Sequence, residues 1–347
     1  MTGGQARTAP QRPVLCFGEM LLRLSTPAGE TPFQSPRLET CFGGAEINVA
    51  VSLARLGHPA CVVTVLPDSV IGRAARSALL ANGVGVDQVS FAVGRMGLYF
   101  LTPGAVSRPS EVTYDRTHSA FAQADLADFD WSDRLAGAGW LHLSGVTPAT
   151  GPKGSAGALA AVRAANAAGV PVAFDGNFRG KLWQAWGGDA RPILRELLDG
   201  ATMAFADDRD MALILGQTFP GIGCIERLQQ AAAAAFAAFP RLQTLACTLR
   251  TAHSATRHDL AAVMIKRDGS MTEQPAQKLD GIVDRIGSGD AFAAGLLFAT
   301  LAGRDDQAAL AFALACACLK HSIAGDFNPL SEAEVHAAMA PGADVRR

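Results

Sequence analysis

The stretch GWLHLSGVTPATGPKGSAGALAAVRAANAAGVPVAFD, residues 139–175, contains one complete unit of the fold. Two short runs, GWLHLSG (139–145) and VPVAFD (170–175), are mostly apolar on both faces and flank a helical stretch, Lys153–Ala168, that stops at Gly169. A strand without a polar face must be covered on both sides, and a glycine just past a helix ends it. Strand, helix, strand in that order predicts a parallel βαβ unit. The alternation continues in both directions. VLCFG (14–18), ACVVTVL (60–66), TMAFA (202–206) and TLACTL (244–249) read as strands; Ala45–Leu56, Ile71–Asn82 and Ile225–Phe239 read as helices. The expectation is an α/β fold, a central and mostly parallel sheet flanked by helices.

Two segments break the pattern. Residues 19–42 and 98–116 hold short alternating runs such as MLLRL and EVTYDR, with polar residues where a buried strand has none. They read as a small antiparallel flap, or lid, over one edge of the main sheet, since long structured connections are often binding elements. Residues 288–339 are almost continuously helical in pattern, with breaks near Arg304 and at Ala324–Pro329. Residues 1–12 lack an apolar pattern and read as a flexible terminus, as do 341–347 at the other end, leaving one domain over 13–340.

Composition narrows the function. The 347 residues are enough for a large core, and 30 basic against 32 acidic side chains leave no basic footprint for nucleic acid. The uncharged stretch Ala291–Gly303 is too short to span a bilayer, and no charged segment followed by an apolar one opens the chain. Seven scattered cysteines fit free thiols in a reducing cytoplasm, and no histidine or cysteine spacing indicates a metal. The expected location is cytoplasmic, without a membrane partner.

P-loop, dinucleotide-fold and serine-hydrolase signatures are all missing. The strongest remaining segment is DRIGSGDAFAAGLLF (284–298), where Gly287, Ser288 and Gly289 precede a long helix. Backbone N–H groups at such a helix start bind phosphate, and Asp290 beside them is placed to take a hydroxyl proton. A plain helix cap by Ser288 or Asp290 is the structural alternative. In CFGGAEINVAVSLARLG (41–57), Gly43 and Gly44 permit close approach of a substrate and Asn48 can bind its hydroxyls, although an ordinary turn and helix start would look alike. The only two tyrosines, Tyr99 and Tyr114, both fall in the flap, close to Arg116. They suit a polar, acid-bearing small molecule, or simple packing. DGNFRGKLW (175–183) follows a strand, where ligands bind in open α/β sheets, and offers Arg179 and Lys181 for an anion. Plain surface charges are the alternative there.

GGAEINVAVSLARLG near the start and DRIGSGDAFAAGLLF near the end resemble the two signatures of the ribokinase-like (PfkB) carbohydrate kinases, with Ser288 where that pattern has alanine. GEMLLRLSTP (18–27), YFLTPGAVSRPSEVTYDRTHSA (99–120), FDGNFRGKLW (174–183), TLRTAHSAT (248–256) and KHSIAGDFN (320–328) are similar to the branch acting on 2-keto-3-deoxygluconate. The resemblance implies a ribokinase-like fold and ATP-dependent phosphorylation of the 6-hydroxyl of that sugar acid. Asp290 would be the general base and Gly287–Gly289 the anion hole. Gly43, Tyr99, Tyr114, Arg116, Arg179 and Asp326 would face the sugar, and Thr248 and Arg250 the ATP. Mg²⁺ would be held mainly through the phosphates and water, with no direct protein ligand. A homodimer, or a multiple of it, through the lid is also implied, covering Leu22, Leu24, Phe100 and Leu101. The sequence D-D-R-D (207–210) departs from the N-x-x-E common in the wider family. Alternatives are a kinase of this family for fructose, a ribo-sugar or a nucleoside and, more distantly, a non-catalytic sensor of sugar acids.

Overall fold

The computed structural model describes residues 11–340. Residues 1–10 and 341–347, and with them most of the two expected tails, lie outside the described residues. The main sheet has nine strands: β1 (Val14–Phe17), β4 (Ala60–Pro67), β5 (Val89–Ala92), β8 (Trp140–Ser144), β9 (Val172–Asp175), β10 (Met203–Phe205), β11 (Thr244–Ser254), β12 (Arg257–Lys266) and β13 (Met271–Asp280). Their order across the sheet is β13-β12-β11-β10-β9-β8-β1-β4-β5, parallel from β5 to β11 and antiparallel over the last two pairs.

Each central strand sends alternate residues to opposite layers. Leu15 and Phe17 join one core with Leu141, Leu143 and Phe174; Val14 and Cys16 join the other with Ala173. The first core is covered by α4 (Trp131–Leu135), α6 (Pro152–Ala167), α8 (Ala190–Asp199) and α10 (Cys224–Ala238). The second is covered by α1 (Ala45–Arg55), α2 (Val70–Ala81), α11 (Ser288–Leu301), α12 (Asp306–Lys320) and α13 (Glu332–Met339). Four short helices complete the layer connections: α3 (Ala120–Gln123), α5 (Val146–Ala149), α7 (Gly180–Trp186) and α9 (Asp208–Leu215). Phe17 and Phe174 are fully buried, each contributing about 1.5–3 kcal/mol relative to exposure. Among the described residues no helix is long and apolar enough to cross a membrane.

The flap is a separate four-stranded sheet of β2 (Leu21–Ser25), β3 (Glu39–Gly43), β6 (Gly97–Thr102) and β7 (Glu111–Asp115), in the order β3-β2-β6-β7. It is mixed rather than antiparallel, because β2 and β6 each follow a strand of the parallel sheet and pair in parallel. It faces the carboxyl ends of the main strands across a cavity instead of lying on the sheet's edge. Leu101 points inward and is 4% exposed, so of the apolar residues expected on the outer face only Phe100 is open, at 38%. The hairpin β12–β13 and the edge strand β5 have no counterpart in the sequence reading. The outer half of β11 and most of β13 are exposed, and their polar residues hide the strand pattern.

Candidate active site

The cavity between lid and main sheet has a volume of about 680 Å³. Its floor is the start of α11. Gly287 has φ 81 and caps that helix without any side-chain bond, so neither Ser288 nor Asp290 is the cap. A Cβ at Gly287 would come 2.3 Å from the Asp326 carbonyl oxygen, a contact only glycine avoids. Among the described residues no backbone acceptor meets the N–H groups of Gly287, Gly289 and Asp290, which leaves donors for an anion at the positive end of the helix.

Asp290 lies in the first turn of α11 and is 9% exposed. Asn48 Nδ2 donates to its Oδ2 at 2.7 Å, tying α1 to α11. Burial first, opposed by that hydrogen bond and reinforced by the negative charges of Glu46 and Asp326, pushes the Asp290 carboxyl up to about 7. Asn48 Oδ1 has no partner and remains an acceptor beside the base. Glu46, two residues before Asn48, is buried and accepts from Ser144 N at 2.9 Å, Ser144 Oγ at 2.7 Å and Thr147 Oγ1 at 2.8 Å. Burial raises its pKa.

The lid is fastened by charges. Asp326, 3% exposed, accepts from Tyr99 Oη at 2.6 Å and pairs with Arg23 Nη1 at 3.0 Å. Arg23 also pairs with Asp284 at 2.7 Å. Gly43 sits against this carboxylate, since a Cβ there would be 1.9 Å from Asp326 Oδ2. Gly43 therefore supports Asp326, while Gly44 and Ala45 line the cavity. Arg116 departs from expectation. It lines the cavity but pairs with Glu19, Nη2 to Oε2 at 2.5 Å, and Ser119 Oγ shares the same carboxylate at Oε1, 2.5 Å away. A buried carboxylate next to it must be neutralised, so Arg116 is not a free cation. Tyr114 lies beside Tyr99, rings 6.2 Å apart, and both line the cavity.

Arg179 begins α7 at the exposed cavity wall and among the described residues makes no ion pair, only a hydrogen bond to the Phe178 carbonyl at 3.3 Å. Arg250 and Arg285 also line the cavity and have no carboxylate partner among the described residues. Burial, then the like charges of Arg285 and Arg209, lowers the Arg250 pKa. Thr248 is half-buried behind Arg250 and does not reach the cavity.

The sequence reading missed Asp175, the last residue of β9, which lines the cavity. Its pKa is raised by burial and by the facing carboxylates of Asp290 and Asp210. An aspartate ending a doubly buried strand is a signal that was available. In D-D-R-D, Asp207 caps α9 and forms a reciprocal pair with Asp210, whose pKa is lifted to about 6 by burial and Asp207. No cluster of three or more metal-ligating side chains occurs among the described residues.

A cleft at the carboxyl ends of parallel strands, with an open helix start and an adjoining buried aspartate, is the site of a phosphoryl-transfer protein. The model of the pfkB family carbohydrate kinases matches residues 11–333, and the chain belongs to that family. The chain is 32% identical over 331 residues to a 2-dehydro-3-deoxygalactonokinase of Haloferax volcanii, covering 95% of this chain and 97% of that one. It is 32% identical to a Klebsiella pneumoniae fructokinase over 81% of this chain and 84% of that one. The solved 2-dehydro-3-deoxygluconokinase of Thermotoga maritima is 36% identical, with TM-score 0.89 and 95% and 99% of the two chains covered. The chain is thus a sugar kinase with the ribokinase-like fold.

Proposed function

We propose that this sugar kinase phosphorylates the 6-hydroxyl of 2-keto-3-deoxygluconate with ATP, giving 2-keto-3-deoxy-6-phosphogluconate. The observation that carries the sugar-acid reading is Arg179, a cation on the cavity wall with no ion-pair partner. A sugar acid's carboxylate satisfies it, and a neutral sugar leaves it unpaired. The similarity to keto-deoxy sugar kinases from Haloferax volcanii and Thermotoga maritima supports the same choice.

In this reading Asp290 takes the proton from the 6-hydroxyl as its oxygen attacks the γ-phosphorus, and ADP leaves from the opposite side. The open N–H groups of Gly287, Gly289 and Asp290 donate to the equatorial oxygens of the transferring group, and Ser288, expected to join them, instead donates its N–H to the Arg285 carbonyl at 3.4 Å. Asn48 Oδ1 accepts from a sugar hydroxyl, and Tyr99 and Tyr114 wall the sugar beneath the lid. Gly44 lets the substrate approach the backbone, and Asp326 holds Tyr99 in position. Arg116 contributes the edge of a neutralised pair. Arg250 and Arg285 hold the ATP phosphates, with Thr248 behind them. The crowded, mutually repelling carboxylates of Asp175 and Asp210 fit a hydrated Mg²⁺. Held near them through the phosphates and water, such an ion would supply positive charge against the phosphates. The lid excludes water from the transfer. A cytoplasmic enzyme follows from the substrates.

A fructokinase is the second reading, favoured by the Klebsiella pneumoniae relative and by the neutralisation of Arg116. Incubation with MgATP and 2-keto-3-deoxygluconate, followed by phosphorus and carbon NMR, tests the proposal. One phosphomonoester, coupled to C6, is expected. Unchanged sugar acid alongside phosphorylated fructose in a parallel tube overturns it.

A further inference from the structure

Lys320, the last residue of α12, is wholly buried at 0% exposure. Lysines are almost never buried so deeply unless paired, because an ammonium loses its hydration there. Yet among the described residues Lys320 makes no ion pair; its Nζ donates one hydrogen bond, to the Ile323 carbonyl at 2.9 Å. The nearby carboxylates are engaged elsewhere: Asp284 and Asp326 are both bound by Arg23, and Asp326 also accepts from Tyr99. The lysine stem packs under the anion-binding turn, where a Cβ on Gly287 would lie 3.4 Å from Lys320 Cε. Burial lowers the Lys320 pKa below the usual lysine range, and the fields of Asp284, Asp326 and Asp290 act against that fall while Arg23 adds to it.

We propose that Lys320 is a positioning residue for phosphoryl transfer, a fixed positive charge behind the Gly287–Gly289 turn that helps it hold an anionic phosphoryl group and keeps Asp290 ionised. The inference rests on the reading of that turn as the phosphoryl-transfer site. A charge there needs no reorganisation when negative charge gathers on the transferring oxygens, and it acts through a medium of low dielectric. The other groups facing Asp290 are Glu46 and Asn48 from α1, Asp175 from β9, Arg179 from the start of α7 and Asp326 from the turn after α12. Carboxylates dominate that set, so removing the ammonium leaves Asp290 harder to ionise.

The test is steady-state kinetics of Lys320→Met and Lys320→Arg against pH, with Asp290→Asn as a reference. For Lys320→Met, kcat falls on the order of 10- to 100-fold while the sugar KM stays within about twofold, and the acid limb of kcat/KM moves to higher pH. Lys320→Arg retains the charge and the wild-type acid limb. Wild-type kcat and an unmoved acid limb in Lys320→Met, with Asp290→Asn inactive, overturn the role of Lys320 alone. An active Asp290→Asn overturns the reading of the site itself. If circular dichroism shows Lys320→Met unfolded, the alkaline limb decides. Wild type loses activity as Lys320 deprotonates, and Lys320→Arg shifts that loss to higher pH; identical alkaline limbs overturn the proposal.

Discussion

Burial lifts the Asp290 carboxyl to about 7, and the sign of that displacement sets two expectations. As a base it must be ionised, so kcat/KM should fall about tenfold per pH unit below that value, and Asp290→Asn should lower kcat on the order of 10²–10⁴-fold. Stability runs the other way. Between the unfolded value of 3.8 and the folded value of about 7 the native state binds the extra proton, so stability falls as pH rises through that window. Asp290→Asn should therefore be more stable than wild type at pH 8 by on the order of 1–4 kcal/mol, a gain that vanishes below about pH 4. Thermal denaturation at both pH values measures it; equal melting temperatures at pH 8 contradict the burial argument. Arg179 belongs to the same scale. If it binds the carboxylate, Arg179→Ala raises the KM for the sugar acid about 10- to 100-fold with a smaller change in kcat, the usual worth of a charged hydrogen bond. Steady-state kinetics check this, and an unchanged KM removes Arg179 from the sugar site.

Between elements, the lid depends on contacts that individual residues make across long sequence distances. Arg23 on β2 reaches Asp284 and Asp326, and Arg116 after β7 reaches Glu19 after β1. Gly43→Ala should push Asp326 out of this network, costing about 1–3 kcal/mol as an overpacking change and raising the sugar KM through the loosened Tyr99. Denaturant melts and kinetics on the same sample test both parts; an unaltered melting point would mean the carboxylate moves aside freely. These contacts also mark what sequence could reveal. The central parallel strands were legible because doubly buried strands are apolar throughout, unlike the half-exposed edge strand β5, and α1 and α11 because glycines introduce them. The placing of Asp290 and the glycine turn at a helix start was legible because that pattern is local in sequence. The pairing of Arg116 with Glu19 was not: a guanidinium near two tyrosines looks the same whether free or neutralised. Lys320 was hidden for a related reason, since nothing in ACLKHS (317–322) reports that the lysine points inward. The β12–β13 hairpin escaped because exposed strands share their composition with loops.

At the scale of the whole molecule, the lid and the α/β body face each other across the cavity, and Leu22, Phe42 and Leu98 of the lid also pack against the second core. Asp290, the Gly287–Gly289 turn and Arg179 line that cavity from the α/β body, and Tyr99 and Tyr114 line it from the lid. The outer lid face shows Phe100, with Leu22 and Leu24 half-buried, a smaller apolar surface than the sequence suggested. Pairing of two lids would cover it, and light scattering should then give twice the chain mass or a multiple; a monomer would remove that role from the lid. The central claim concerns the substrate, and the most direct measurement is ADP release with MgATP across 2-keto-3-deoxygluconate, its galacto epimer, gluconate, fructose and ribose. The account predicts a kcat/KM for the keto-deoxy acids at least ~100-fold above fructose and ribose, the discrimination expected when only a carboxylate substrate makes the charged hydrogen bond to Arg179. Equal or faster turnover of fructose or ribose would contradict the sugar-acid assignment while leaving the kinase fold and Asp290 in place.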